Sequence, residues 1–168
     1  MYLLIIVPFL LQTLFMTLDE WYFHIPRGLP KWERIGHPLD TLSVLLCYGF
    51  IQWVPYSLSN IKWFIGLGIL SCLMITKDEF VHKHHCPASE HWVHAILFIN
   101  HPILLTTLGL SWPVLHQREV PTWIASWLNY PDILSKILYA QTTLIFVFLL
   151  YQIIYWNFVY KNTQSPSL

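Results

Sequence analysis

The fold is decided by stretches such as residues 137–160, which read ILYAQTTLIFVFLLYQIIYWNFVY and contain no charged side chain. A helix needs about 20 apolar residues to cross the hydrocarbon core of a bilayer, which is about 30 Å thick. Four further stretches approach that length, namely residues 2–18, 41–57, 58–76 and 95–115. The stretch 58–76 requires Lys62 to extend its side chain to the membrane interface. We therefore predict an all-α fold, a polytopic membrane bundle of about five transmembrane helices that forms a single domain over residues 1–168.

The overall composition agrees with a membrane protein. Of the 168 residues, 55% are hydrophobic and 11% are charged, whereas a soluble domain carries about 25% charged residues. The formal net charge is zero, so the sequence does not predict binding to nucleic acid. The three cysteines form no Cys-x-x-Cys pair, which argues against a disulfide framework. Residues 2–18 lack a basic start and a cleavage site, which favours a retained helix over a signal peptide.

Five crossings would place two polar loops, residues 19–38 and 77–94, on the same side of the membrane. This side carries most of the basic residues near the spans, with Arg27, Lys31, Arg34, Lys77, Lys83 and Lys161 against Lys62, Arg118 and Lys136 on the other. Cytoplasmic loops are enriched in lysine and arginine. We therefore predict that the two loops are cytoplasmic and that the N-terminus lies outside.

The two loops also hold most of the histidines, together with several carboxylates. Eight of the nine histidines fall between His24 and His101. Glu20 and His24 are spaced i, i+4, and Pro26 predicts that the first helix ends at about Ile25. On helices, this spacing and the i, i+3 spacing place side chains on one face. We predict metal ligation by Glu20, His24, His37, Asp78, Glu79, His82, His85, His91 and His94, with Asp19, Glu90 and His101 supporting these ligands.

The chemistry of this ligand set limits the choice of metal. Imidazole and carboxylate ligands suit iron, manganese and zinc. Glu79 and His82 form a Glu-x-x-His pair, the spacing with which one helical turn supplies two ligands to a di-iron centre. We expect two metal ions, with iron first and zinc or manganese as alternatives. The competing interpretation is a charged collar, in which nearby lysines and arginines neutralise the carboxylates.

The run His82-Lys83-His84-His85, followed by His91-Trp92-Val93-His94, resembles the histidine boxes of the membrane di-iron fatty acid desaturases and hydroxylases. The resemblance covers residues 78–101, and the spacing from His82 to His85 is one residue tighter than is usual in those enzymes. It implies that His82, His85, His91 and His94 are metal ligands, and it carries over no substrate.

We therefore predict a membrane-bound, metal-dependent oxidoreductase that acts on a lipid or another apolar small molecule at the cytoplasmic face. An external electron donor is implied, because the sequence contains neither a Gly-x-Gly-x-x-Gly motif after a strand nor a haem-attachment motif. A metal ion transporter or metal-handling protein is the first alternative, although such proteins usually carry charged side chains at mid-membrane. A metal-dependent lipid hydrolase needs the same ligands. A di-haem cytochrome would need histidines deep in facing helices, where only His101 comes close.

Overall fold

The computed structural model describes residues 2–77, 87–128 and 131–160, and most of these residues are helical. Seven α-helices and two π-helical segments follow one another along the described chain: α1 (Tyr2–Leu18), π1 (Asp19–His24), α2 (Ile25–Arg27), α3 (Glu33–Trp53), α4 (Leu58–Thr76), α5 (Ala88–Leu115), α6 (Thr122–Trp127), α7 (Pro131–Ile154) and π2 (Tyr155–Val159). The all-α prediction is confirmed for this part of the chain.

Three of the described helical segments are long and apolar enough to cross a membrane. They are Leu58–Thr76, Ala88–Leu115 and the continuous stretch Pro131–Val159. In the first of them only 11% of the residues in the most apolar window are buried inside the protein, so most of its apolar surface faces outward. A helix that is apolar all round is typical of a membrane span or a large protein core. Three candidate spans are fewer than the five predicted from the sequence.

The helices begin earlier than the apolar stretches that marked them. α3 starts at Glu33 rather than at residue 41, and α5 starts at Ala88 rather than at residue 95. The predicted loops 19–38 and 77–94 are therefore partly helical in the described residues. Apolar runs mark only the lipid-facing part of a helix, whereas the backbone can continue helical as long as its polar side chains find partners inside the bundle.

The bundle is held together by a core at its centre. α3 packs against α4 and α7, and α1 packs against α5. Tyr48, Leu104, Leu108 and Trp112 are almost completely buried in this core. Trp112 also donates a hydrogen bond from its indole nitrogen to the carbonyl oxygen of Val54, at 2.9 Å. This contact ties the end of α5 to the end of α3.

Polar side chains link the helices inside the bundle. Ser71 on α4 lies 2.8 Å from the hydroxyl of Ser43 on α3 and 3.0 Å from Nε2 of His101 on α5. Thr41 donates to Gln152 at 2.7 Å, which joins α3 to α7. Such interhelical hydrogen bonds each contribute about 0.6 kcal/mol on average in a membrane. Each of these hydrogen bonds therefore adds little to the free energy of unfolding, but together they specify which helix faces lie against one another.

The first helix continues past its apolar segment. α1, π1 and α2 form one uninterrupted helical path, because the backbone at Leu18, His24 and Ile25 keeps right-handed helical angles. The path ends at Gly28, which has a φ of 74°, rather than at Ile25 as Pro26 predicted. A side chain at Gly28 would also collide with the hydroxyl of Tyr160. Pro26 lacks an N–H to donate to the preceding turn, and it stands where the π-helical segment changes to the last short α-helical turn of the path.

Candidate metal centre

Four buried side chains meet at one end of the bundle. They are Asp19 and His24 on π1 and Glu90 and His94 on α5. One potential ligand atom from each residue lies within 4.8 Å of those of the other three. Each residue is at most 7% exposed. Two imidazoles and two carboxylates on two neighbouring helical segments could therefore share a metal ion.

The π-helical geometry of π1 brings Asp19 and His24 together. In a π-helix the backbone hydrogen bonds join residues five apart, and Asp19 and His24 are five residues apart in sequence. An α-helix would instead separate them by about 140° around its axis. In the structure His24 Nε2 lies 3.3 Å from Asp19 Oδ2. The local change of helix type therefore turns Asp19 toward the centre.

The other two members follow ordinary α-helical spacing. Glu90 and His94 are i, i+4 at the start of α5, and Pro87 precedes the helix as its N-cap residue. A carboxylate in the first turn is favoured by the partial positive charge of a helix N-terminus. Nε2 of His24 lies 3.7 Å from Glu90 Oε1, and Nε2 of His94 lies 3.2 Å from Asp19 Oδ1. These contacts connect π1 to α5 through the centre.

A second layer of polar side chains surrounds the four residues. Glu20 lies 3.2 Å from His24 Nδ1 and accepts hydrogen bonds from Tyr151 and Trp156. The ring of His37 lies against that of His24, with 4.7 Å between ring centroids. On α3, His37 is also 3.9 Å from the carboxylate of Glu33. The centre is thus enclosed by π1, α3, α5, α7 and π2.

Buried carboxylates concentrate at this end of the bundle. Asp19, Glu20, Glu33 and Glu90 are all at most 7% exposed, and the guanidinium of Arg27 lies 2.9 Å from Glu90 and 3.4 Å from Glu33. Burial raises the pKa of Asp19, but the hydrogen bond with His94 and the charges of His24, His94 and His37 lower this pKa below its ordinary value. Asp19 is therefore ionised at neutral pH. Buried carboxylates are costly unless cations or metal ions compensate them.

Two buried atoms at the centre support metal binding directly. Nε2 of His24 and Oε2 of Glu90 form no hydrogen bond with any described residue. Buried polar atoms almost always have a partner, and exceptions point to a catalytic role or to a missing ion. The nitrogen and oxygen donors present here suit iron, manganese or zinc. The residues of the centre therefore fit the metal that the sequence predicted.

The structure brings together part of the predicted site. Glu20, His24, His37 and His94 lie in or against the centre, and Asp19 and Glu90, predicted as supporting residues, belong to its inner group of four. His91 is half-buried and stands outside that group. His101 is fully buried and bonds to Ser71. Asp78, Glu79, His82 and His85 lie outside the described residues, and their ligation remains a prediction.

Several residues around the centre were not among the predicted site residues. Glu33 is 1% exposed and contacts both Arg27 and His37, and its i, i+4 spacing to His37 was the available signal. Tyr151 and Trp156 also contact Glu20. They carry no distinctive signal, because aromatic side chains at the end of an apolar helix are typical of a membrane interface.

Comparison of the chain with protein-family models, with curated proteins and with solved structures found no match. Fold and site together define the class: an all-helical protein, as far as it is described, with spans apolar enough for a membrane and a buried group of histidines and carboxylates that could hold a metal ion.

Replacement of Arg27 by glutamine should lower the free energy of unfolding by about 3 kcal/mol, because removal of one partner of a buried ion pair leaves an uncompensated charge. Arg27 lies 2.9 Å from Glu90 and 3.4 Å from Glu33. The measurement is chemical denaturation of the full chain in detergent with a chelator present. Lys31→Gln removes the same charge from an exposed position four residues away and should change stability by less than about 0.5 kcal/mol. Equal losses in both variants would contradict the expectation.

Proposed function

We propose that this chain is a membrane-bound, metal-dependent oxidoreductase. It uses two metal ions, with iron preferred over zinc and manganese, to oxidise a lipid or another apolar molecule at the cytoplasmic face. The observation that carries this proposal is the buried group formed by Asp19, His24, Glu90 and His94 at one end of an apolar helical bundle.

Five membrane spans are proposed, with α1 and α3 added to the three helical segments that are long and apolar enough to cross a membrane. α1 has 17 residues and α3 has 21, which is close to the length that a bilayer requires. Tryptophan and tyrosine concentrate at membrane interfaces. Two groups of strongly exposed aromatic residues fit such interfaces: Trp21, Tyr22 and Trp92 next to the metal centre, and Trp53, Trp63 and Trp123 at the ends of α3 and α4 and on α6. The excess of basic residues favours a cytoplasmic metal centre and an external N-terminus.

A cavity beside the metal centre supports an apolar substrate. Its volume is about 90 Å³, and its wall combines Asp19, Glu20, His24, His37 and His94 with Met16, Val44, Leu97, Phe98 and Phe148. A single water molecule needs only about 10–15 Å³ measured in this way. The cavity therefore offers room for more than a solvent molecule, and much of its wall favours hydrocarbon. An apolar molecule could reach it from the bilayer.

The residues of the centre would each contribute in a definable way. A bound pair of redox-active ions would supply the electron transfer that oxidation by dioxygen requires. Asp19, His24, Glu90 and His94 would hold an ion at the end of the cavity, and Arg27 would orient Glu90 through their 2.9 Å contact. Burial of these side chains keeps them away from bulk solvent. Electrons would come from a partner protein, since the sequence offers no motif for a nucleotide or haem cofactor.

The test is metal analysis of the protein purified in detergent, combined with an absorption spectrum. We expect two irons per chain, as in carboxylate-bridged di-iron proteins, and oxidation of membrane lipid extracts on addition of a reductant and dioxygen. One zinc per chain with lipid hydrolysis would favour the hydrolase instead. Facilitated metal uptake into proteoliposomes would favour the transporter. Protein that binds no metal after reconstitution with iron, zinc or manganese would refute the metal centre altogether.

A further inference from the structure

We propose that Glu20 sets the tautomer of His24 by holding a proton on Nδ1, so that His24 presents the lone pair of Nε2 to the metal. Trp156 in turn orients the carboxylate of Glu20 by donating a hydrogen bond to its other oxygen. The inference rests on the metal centre of the proposed function and deepens it by adding two positioning residues. It also gives Glu20 a role different from the direct ligation that the sequence pattern predicted.

The contacts of Glu20 divide between its two oxygens. Oε2 lies 3.2 Å from His24 Nδ1. Oε1 accepts one hydrogen bond from the hydroxyl of Tyr151 at 2.9 Å and another from the indole nitrogen of Trp156 at 2.7 Å. A carboxylate oxygen accepts a hydrogen bond from an imidazole N–H, so the contact with Glu20 places a proton on His24 Nδ1. The other ring nitrogen, Nε2, can then give its lone pair to a metal ion that takes the place of a proton there.

Nε2 of His24 is placed to use that lone pair. It lies 3.3 Å from Asp19 Oδ2 and 3.7 Å from Glu90 Oε1, and it forms no hydrogen bond with a described residue. Metal-bound histidines usually donate their other ring N–H to a carboxylate, which fixes the tautomer and raises the basicity of the ligand nitrogen. The arrangement of Glu20 and His24 has this form.

Trp156 requires residue 20 to direct a hydrogen-bond acceptor toward its indole nitrogen. An indole N–H can only donate a hydrogen bond, whereas a tyrosine hydroxyl can donate or accept one. Trp156 is 1% exposed and packs against the rings of Tyr155 and Tyr160. The position next to its nitrogen must therefore be filled by an oxygen. A carboxylate meets this requirement and still offers its second oxygen to His24.

An amide at position 20 cannot meet both requirements. In Glu20→Gln the single oxygen would turn toward Trp156, and the amide NH₂ would face His24 Nδ1. Because NH₂ donates hydrogen bonds, His24 would then have to accept at Nδ1 and carry its proton on Nε2. The lone pair would be lost from the side that faces Asp19 and Glu90. Although Glu20→Gln hardly changes the size of the side chain, it should thus prevent His24 Nε2 from binding the metal.

The first experiment measures the affinity of the full chain for Zn²⁺ by competition with a chromophoric chelator. Loss of a residue that orients a metal ligand typically costs about 10–100-fold in affinity, and we expect Glu20→Gln to reach about 100-fold. Trp156→Phe alone should cost about tenfold at most, because Glu20 keeps its charge and its contact with His24. Tyr155→Phe, a change in the same aromatic cluster, should leave the affinity unchanged. Zn²⁺ affinity of Glu20→Gln within about threefold of the original would overturn the inference.

The double variant provides the sharper test. With Trp156→Phe in the Glu20→Gln background, the amide can rotate, its oxygen can accept from His24 Nδ1, and Tyr151 can accept from the NH₂. We expect this double variant to bind Zn²⁺ about tenfold more tightly than Glu20→Gln alone. Two losses that simply add would instead mean that Trp156 supports the fold and does not direct the amide.

The tautomer can be read without metal from the ¹⁵N chemical shifts of the histidine rings. We expect Nδ1 of His24 to carry a proton in the original protein and to lack one in Glu20→Gln. A proton on Nδ1 in both proteins would overturn the inference even if metal affinity falls. Failure of the original protein to bind any metal would refute the proposed function, but the tautomer measurement would still decide the role of Glu20.

Discussion

Replacement of His94 by alanine is expected to lower the metal affinity of the protein by more than about 100-fold, since loss of a residue that only orients a ligand already costs about 10–100-fold. His94 is 6% exposed and lies 3.2 Å from Asp19. It also comes from α5, whereas Asp19 and His24 come from π1, so its removal breaks the link between the two segments. The measurement is metal content after purification, followed by titration with Fe²⁺ under anaerobic conditions.

A histidine at the far end of the same helical region serves as the control. His116 follows α5 directly and contacts the carbonyl oxygen of Ile51 at 3.0 Å. His116→Gln keeps a side-chain N–H for this contact and should bind metal as tightly as the original protein. If the two variants bound metal equally well, His94 would not be a ligand, and the centre would have to be sought around residues 78–86.

Removal of the metal is expected to destabilise the protein by about 4 kcal/mol when the free metal concentration had been about 1,000 times the dissociation constant. The physical reason is that Asp19, Glu20 and Glu90 lose the cation that balances their charges, while all three stay buried. For a chain of this size the loss corresponds to a decrease of about 10 °C in the melting temperature. Thermal unfolding in detergent, with and without a chelator, measures the difference.

The same chelator should have little effect on the His94→Ala variant, which has already lost its metal. A charged collar without metal predicts a different pattern, in which the chelator changes the melting temperature of neither protein. An unchanged melting temperature in the original protein, together with a proven loss of bound metal, would show that the buried carboxylates find their compensation elsewhere.

Much of the fold follows from local chemistry that the sequence displays directly. The stretches 58–76, 95–115 and 137–160 form helices because an apolar run of that length, with at most one charged residue, has its backbone groups satisfied within one segment. Their boundaries were less predictable. α3 starts at Glu33 and α5 at Ala88, because polar residues such as Glu33 and Glu90 find partners within the bundle. A hydropathy profile cannot reveal such partners, because they come from other helices.

The candidate site shows the same division. Clustering of histidines and carboxylates in two loops predicted a metal centre at one end, and Glu20, His24, His37 and His94 do lie there. Their individual roles could not be predicted from a 3.6-residue period. That period pairs Glu20 with His24, and the pair forms at 3.2 Å. The π-helical segment π1 also brings Asp19 to His24, and Glu20 uses its other oxygen to contact Tyr151 and Trp156.

By itself, the sequence determined the helical class, three of the five predicted apolar spans and the end of the molecule at which candidate metal ligands collect, because these depend on residue type and spacing along one segment. The tertiary structure decided which side chains meet. Asp19 and Glu90 form the inner group, Arg27 pairs with Glu90, and Trp156 contacts Glu20 across 136 positions of sequence. Contacts of this kind depend on helix packing and on local helix type, and neither is encoded in the periodicity of a single segment.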